Sequence, residues 1–201
     1  MKIPIQNLYF LLLYAWDALE EGAIVKVADI PSTRLQDLFA RILIAGVEHV
    51  LRRGLDRIYV PELQQIAGVR GRVDFSATVR ANALWQKQAV CEIDELTTDN
   101  VLNRIVATTL RNLAHTEGLN HTLRTTALNT RRKLSGVGEI QLTSRIFHAA
   151  ALHRNNRFYR FLLDVCYLVY ENLFVEDRQG TIVFQNFLQD ERQMATLFEK
   201  F

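Results

Sequence analysis

Residues 33–53 restrict the fold more than any other stretch of the chain. Leu35, Leu38, Phe39, Ile42, Leu43, Gly46, Val47, Val50 and Leu51 recur at i, i+3, i+4, i+7 spacing. That is the repeat of one face of a helix, and its length and apolar density mark a core helix. Ser32 or Thr33 stands where an N-cap belongs and Gly54 where a C-cap belongs. Gly46 falls inside the stripe, where the missing side chain would let a neighbouring helix come close.

Other segments share this rhythm. Residues 5–20 place Ile5, Leu8, Tyr9, Leu12, Leu13, Trp16 and Leu19 on one side, with Gly22 to end the helix. A helix after Asp99 carries Leu102, Ile105, Val106, Thr109, Leu110 and Leu113, and Gly118 breaks it. A more polar helix is expected over 119–133, then a turn at 135–138. An amphipathic helix follows over 156–174 through Phe158, Phe161, Leu162, Val165, Leu168 and Val169. Gly180 opens a short strand, Thr181–Phe184.

Between Gly54 and Asp99 the period shifts towards two. Ile58-Tyr59-Val60, Val73-Asp74-Phe75 and Ala89 to Leu96, the last with apolar and acidic residues alternating from Cys91, read as strands, with turns at Gly68 and Gly71. Ser76–Leu84 fits a short helix as an alternative to more strand. The expected class is α+β: mainly helical, with a small antiparallel β unit at about residues 56–97 whose loops protrude. Residues 1–201 then form one domain, with a β-rich subregion at 55–97 and a mainly helical part at 98–201.

The composition, 49% hydrophobic and 23% charged with 9 Gly and 3 Pro, belongs to a globular chain rather than a disordered or fibrous one. The apolar run from Leu8 to Trp16 is nine residues long, against about 20 for a bilayer span. Only Lys2 precedes it, and Asp17, Glu20 and Glu21 follow, so it reads as a buried helix rather than an export signal. Cys91 and Cys166 sit in apolar surroundings, as reduced buried thiols do. These features point to the cytoplasm and away from a membrane. At the far end, Asp190 and Gln193 resemble a capping box, and Met194, Leu197, Phe198 and Phe201 begin an apolar stripe that is left open. The expectation is that a further domain follows.

Charge is unevenly placed. Residues 104–160 hold ten Arg or Lys against only Glu117 and Glu139, while the rest of the chain holds 14 basic and 20 acidic residues. Such asymmetry fits an acidic partner, either nucleic acid or an acidic protein face, or solvated helix surfaces. Arg131, Arg132, Lys133, Arg154, Arg157 and Arg160 are the candidate DNA contacts. Phe158 and Phe161, interleaved with the last of them, also fit the core stripe of their helix.

Several chemistries are excluded. No G-x-x-x-x-G-K-[ST] loop, no G-x-G-x-x-G after a strand and no G-x-S-x-G elbow occurs. His115/His121 and His148/His153 lack the i, i+4 spacing of a shared metal site. Asp74, Glu92, Asp94 and Glu95 lie on β-like segments, where Mg²⁺-dependent nucleases keep their carboxylates. The accompanying acidic-x-Lys step is absent, so a structural or ion-paired role is expected for them. The stretch Val69 to Phe75, with Arg70-Gly71-Arg72 at its centre, allows two readings: an exposed turn aimed at a partner, or a buried Arg72 paired with an acid.

Six collinear segments carry a resemblance. They are Ile3 to Trp16; Arg52-Arg53-Gly54-Leu55; Gly68 to Phe75; Leu102-Asn103-Arg104-Ile105; Asn156 to Phe161; and Met194 to Phe201. Together they resemble the N-terminal, non-nuclease portion of McrC, the nuclease subunit of the McrBC restriction system, which cuts DNA containing methylated cytosine. The resemblance implies a docking role: the N-terminal part of McrC enters the pore of McrB, a ring-forming AAA+ GTPase, and stimulates GTP hydrolysis. It places the Mg²⁺-dependent nuclease in a following domain and GTP on the partner, and assigns no cofactor or catalytic residue here. On this reading the β unit reaches the ring, with Arg70, Gly71, Arg72 and Arg80 as candidate contacts. The alternative is a DNA-binding module that uses the basic 104–160 region.

Overall fold

The computed structural model of the chain describes residues 5–15, 19–22, 34–150, 157–176 and 181–184. The chain divides into two compact units, one made of residues up to Leu55 and from Val101 onwards, the other of Asp56–Asn100.

The first unit is helical. It contains α1 (Ile5–Ala15), α2 (Leu19–Gly22), α3 (Leu35–Arg53), α5 (Val101–Ala114), α6 (His121–Lys133), α7 (Ser144–Ala149) and α8 (Arg157–Asn172). A two-stranded ribbon, β4 (Leu173–Glu176) with β5 (Thr181–Phe184), closes the described part, its antiparallel register running from Leu173↔Phe184 to Glu176↔Thr181. The expected 156–174 helix therefore ends at Asn172. Leu173 and Phe174 belong to β4, because a short apolar run suits either structure and the pairing with β5 decides it. The expected helix over 5–20 is continuous only to Ala15 among the described residues, since 16–18 lie outside them.

Helix α3 is the centre of this unit. Its stripe residues Leu38, Phe39, Ile42, Leu43 and Val47 are fully buried, and Ala40 and Ile44 on other sides of the helix are buried too. It packs against α5, α6 and α8. Tyr9, Leu12 and Leu13 of α1, Ile105 and Leu110 of α5, and Phe161 and Val165 of α8 complete the same core. Gly46 does what its place in the stripe suggests. A Cβ there would lie 2.4 Å from Leu162 Cδ2, so the bare backbone lets α8 close onto α3.

The ends of α3 differ from expectation at one side. Gly54 follows the helix with φ 101°, outside the reach of most side chains. At the start the capping position is Arg34, whose side chain makes no cap; Ser32 and Thr33 lie outside the described residues. Arg34 Nη1 instead donates to Gly118 O at 2.6 Å, and the buried Asp37 carboxylate accepts from Asn120 N at 3.0 Å. Asn120 Oδ1 in turn accepts from Thr122 N and Leu123 N, which caps α6. The start of α3 thus fixes the α5–α6 turn. Helix α5 begins at Val101, so the expected cap Asp99 lies one position too early; its backbone N–H donates to Thr97 Oγ1.

One group in this unit is sensitive to pH. Burial pushes the Asp164 carboxyl up from 3.8 to about 6, against the opposing pull of Arg160. Between those values the folded chain keeps a proton that the unfolded chain releases. The resulting stabilisation is full below about pH 4 and lost as the pH rises through about 6. Asp164→Asn, which mimics the neutral form, is expected to raise thermal stability at pH 7 by roughly 3 kcal/mol. The same substitution leaves stability at pH 4 nearly unchanged; parallel melting curves at the two pH values check both. A deeper-lying thiol, Cys166, is pushed up to about 12 by burial and stays protonated and unreactive.

No helix among the described residues is long and apolar enough to cross a membrane.

Candidate docking surface

The Asp56–Asn100 unit is organised around one strand. β3 (Gln88–Thr97) pairs antiparallel with β1 (Ile58–Ala67) along its whole length, from Ile58↔Thr97 to Ala67↔Gln88. On its other edge it pairs with β2 (Arg72–Val73), through Arg72↔Glu92 and Val73↔Cys91. Residues facing each other across such a ladder share a side, and the side alternates along the strand. Cys91, Ala89 and Ile93 therefore point the same way, with Ile66 and Val73 beside them, and these form the unit's small core. Tyr59, Leu63 and Leu96 point to the opposite side and are exposed.

The turn from β1 to β2 depends on glycine. Gly68 and Gly71 have φ of 87° and 73°. At Gly71 a Cβ would lie 2.2 Å from Glu92 O, so both the backbone angle and the space demand glycine there. Gly71, one of the sequence-derived contact candidates, thus seats the turn against β3. Arg70 is exposed. Arg72 is exposed too, with its side chain 84% accessible, and Nη2 lies 3.1 Å from Glu92 Oε2. Both halves of the earlier alternative are partly met, since Arg72 pairs with an acid but does so at the surface. An exposed pair of this kind contributes at most about 1 kcal/mol.

Three of the four acidic candidates, Asp74, Glu92 and Glu95, are engaged in structure, while Asp94 is exposed. Asp74 Oδ1 accepts from Ala77 N at 2.8 Å and caps α4 (Phe75–Arg80). Thr78 Oγ1 donates to Asp74 O and accepts from Val90 N, tying α4 to β3. Glu92 pairs with Arg72, and Glu95 accepts from Gln64 Nε2. Among the described residues no group of three or more His, Cys, Asp or Glu could hold a metal ion.

After α4 the chain makes a 3-10 turn, Ala83–Gln86, bounded by two left-handed residues, Asn82 (φ 50°) and Lys87 (φ 56°). Ala83 is fully buried and pins the turn, while Leu84 is exposed and Trp85 is 90% exposed. Phe75 and Val79, one helical turn apart on α4, are exposed as well. Arg80 stands on the same helix, with Nε donating to Ser76 O at 3.3 Å. Sequence reading found Arg80 but not Phe75, Val79, Leu84 or Trp85. The one available signal was an isolated Leu-Trp pair in a polar stretch that has no amphipathic period.

In the helical unit, the DNA-contact candidates separate. Arg131 donates to Leu134 O at 3.3 Å and Val137 O at 3.0 Å, and lies 3.4 Å from Glu139. Glu139 also pairs with Arg111. Lys133 reaches Glu48 at 3.4 Å, and Arg124 donates to Thr116 O at 3.0 Å. Arg132 donates to Asn129 on its own helix and remains exposed. Arg157 and Arg160 are exposed on α8, and Arg154 lies outside the described residues. Much of the basic excess of 104–160 is thus absorbed by helix ends and turns of the same unit.

The family model of the McrBC 5-methylcytosine restriction system component matches residues 6–201. The chain is 35% identical over 199 residues to the Type IV methyl-directed restriction enzyme EcoKMcrBC of Escherichia coli strain K12. That match covers 99% of the chain but 57% of the relative, so the chain spans little more than half of its length. Its fold is similar to a chain in the cryo-EM structure of the Thermococcus gammatolerans McrBC complex. The TM-score is 0.62 at 20% identity, over 94% of this chain and 57% of the other. A second similar structure is a refined half-complex from a tetradecameric assembly of Thermococcus gammatolerans McrB AAA+ hexamers with bound McrC. There the TM-score is 0.58 at 21% identity, over 88% of this chain and 41% of the other.

Proposed function

Because the chain belongs to the McrBC 5-methylcytosine restriction system component family, we propose that it is the ring-docking part of an McrC-like subunit. It binds an McrB-like AAA+ GTPase ring and stimulates GTP hydrolysis in the cleavage of methylcytosine-containing DNA. The GTP is the partner's. The Mg²⁺-dependent cutting chemistry belongs to a nuclease domain outside these 201 residues, and the complex works on DNA in the cytoplasm.

One observation carries this reading at the level of the residues. The Asp56–Asn100 unit buries only Ala83, Ala89, Val90, Cys91 and Ile93 of its apolar residues, yet exposes Phe75, Val79, Leu84 and Trp85. A surface of that kind on so small a unit marks a protein interface. Mechanistically, one asymmetric element held inside a ring acts by differential affinity. It favours whichever ring state has its GTPase sites assembled, by as much as it binds that state more tightly.

The purified chain is expected to co-elute with its cognate McrB-like ring in the presence of GTP, and to do so at moderate as well as low salt. A DNA-binding module would behave otherwise, with affinity falling steeply as salt rises. Separate elution from the ring, combined with a salt-sensitive shift of duplex DNA through Arg132, Arg157 and Arg160, would replace the docking reading with the DNA-binding one.

A further inference from the structure

Beyond Arg70 and Arg72, the contact residues suggested by sequence, the unit exposes larger apolar groups. Arg72 is already paired with Glu92. Trp85, by contrast, is 90% exposed at the tip of a turn whose backbone is committed. Two non-glycine residues in left-handed conformation bound that turn, Asn82 and Lys87; asparagine enters that region readily, whereas lysine does so only where its surroundings impose it. The burial of Ala83 and the backbone bonds from Lys87 N to Ala83 O and Leu84 O hold it in place. A large aromatic side chain presented on a pre-set backbone loses little freedom on binding.

We propose that the Ala83–Gln86 turn, through Leu84 and Trp85, is the anchor that seats in an apolar, acid-rimmed pocket of the ring partner. This rests on the docking reading above and names the part of the surface that carries the affinity. Charge identifies the occupant. Residues 75–91 contain Arg80 and Lys87 and no acid at all, so the complementary pocket has an acidic rim. A second copy of this chain is disfavoured, because a two-fold contact through the turn would bring the same cations of both copies together. Nucleic acid would use the exposed rings of Phe75 and Trp85 but leave the equally exposed Leu84 and Val79 without a partner, which disfavours it.

The test compares the chain, its L84S/W85S variant and its R70A/R72A variant for binding to the cognate GTPase ring with GTP present. All four side chains are exposed, so unchanged melting temperatures should accompany every result; Trp85→Gln alone serves as a milder variant if the double substitution shifts them. L84S/W85S is expected to weaken ring binding by about 100-fold, and R70A/R72A by less than about 10-fold. Wild-type binding with L84S/W85S within threefold of it would overturn the anchor while leaving docking intact. An absence of wild-type binding would remove both. Loss of affinity for a single-stranded oligonucleotide instead, or concentration-dependent self-association of the wild-type chain that L84S/W85S abolishes, would assign the turn to a different occupant and overturn the proposal.

Discussion

A chain carrying Gly71→Val is expected to lose the Asp56–Asn100 unit while its helices stay folded. The backbone at Gly71 has φ 73°, and a β-branched residue there meets the steric penalty of the left-handed region. The added Cβ would also stand 2.2 Å from Glu92 O, which is main chain of the central strand and cannot swing aside as a side chain could. Together these effects cost at least about 3 kcal/mol. The unit can offset little of that, since its buried apolar residues are Ala83, Ala89, Val90, Cys91 and Ile93, and units of this size are marginal without outside support. Hydrogen exchange should therefore rise sharply over Ile58–Ala67 and Gln88–Thr97 and stay slow over α3, α5 and α8. Gly68→Ala is the graded control. Its φ is 87° but nothing lies within 4 Å of the added Cβ, so only the backbone penalty of about 1 kcal/mol applies. Equal protection of the β unit in the wild type and in Gly71→Val would refute the steric argument.

Gly46→Leu is expected to damage the other unit. Even a bare Cβ would come within 2.4 Å of Leu162 Cδ2 and 3.8 Å of Phe158 Cζ. Leu162 is itself fully buried, so its methyl group has no vacant space to move into. A leucine adds three further carbons, and α8 must separate from α3 to admit them. Overpacking of this kind costs roughly 3 kcal/mol, well above the gain of about 1 kcal/mol from removing glycine from a helix. Denaturant unfolding followed by far-ultraviolet circular dichroism should show a lower midpoint with a similar slope. Gly46→Ala separates the two terms, because it carries the whole helix-propensity gain and only the first contact. A Gly46→Leu chain as stable as the wild type would mean that α3 and α8 are less closely packed than described.

Why some parts of this molecule are legible in its sequence follows from period and length. Helix α3 could be read because its nineteen residues repeat one apolar face five times over, and Gly46 because it interrupts that face. β3 could be read from the alternation Cys91-Glu92-Ile93-Asp94, since Cys91 and Ile93 face the core and Asp94 faces solvent; Glu95 and Leu96 break the alternation and are both exposed. The six residues of α7 were missed, as Ser144–Ala149 is too short to establish a helical period. Leu173 and Phe174 of β4 read as the tail of α8 because they continue its apolar run, and only pairing with β5 distinguishes the two. The candidate surface was half legible. Gly-flanked arginines flagged the 68–72 turn, but its function as a steric fit against Glu92 O requires the sheet to be assembled. The Leu84–Trp85 turn left no periodic trace, because its conformation is set by Asn82 and Lys87 in backbone angles that sequence does not announce. Charge misled in part, because Glu48, remote in sequence from the basic stretch, pairs with Lys133.

The rate of GTP hydrolysis by the cognate McrB-like ring, measured as this chain is titrated in, tests the docking function most directly. Saturable acceleration that levels off at a fixed ratio of chain to ring is the predicted result, with L84S/W85S needing far higher concentrations to reach the same plateau. A hydrolysis rate that stays flat at every concentration of wild-type chain, with no complex detectable, would contradict the account.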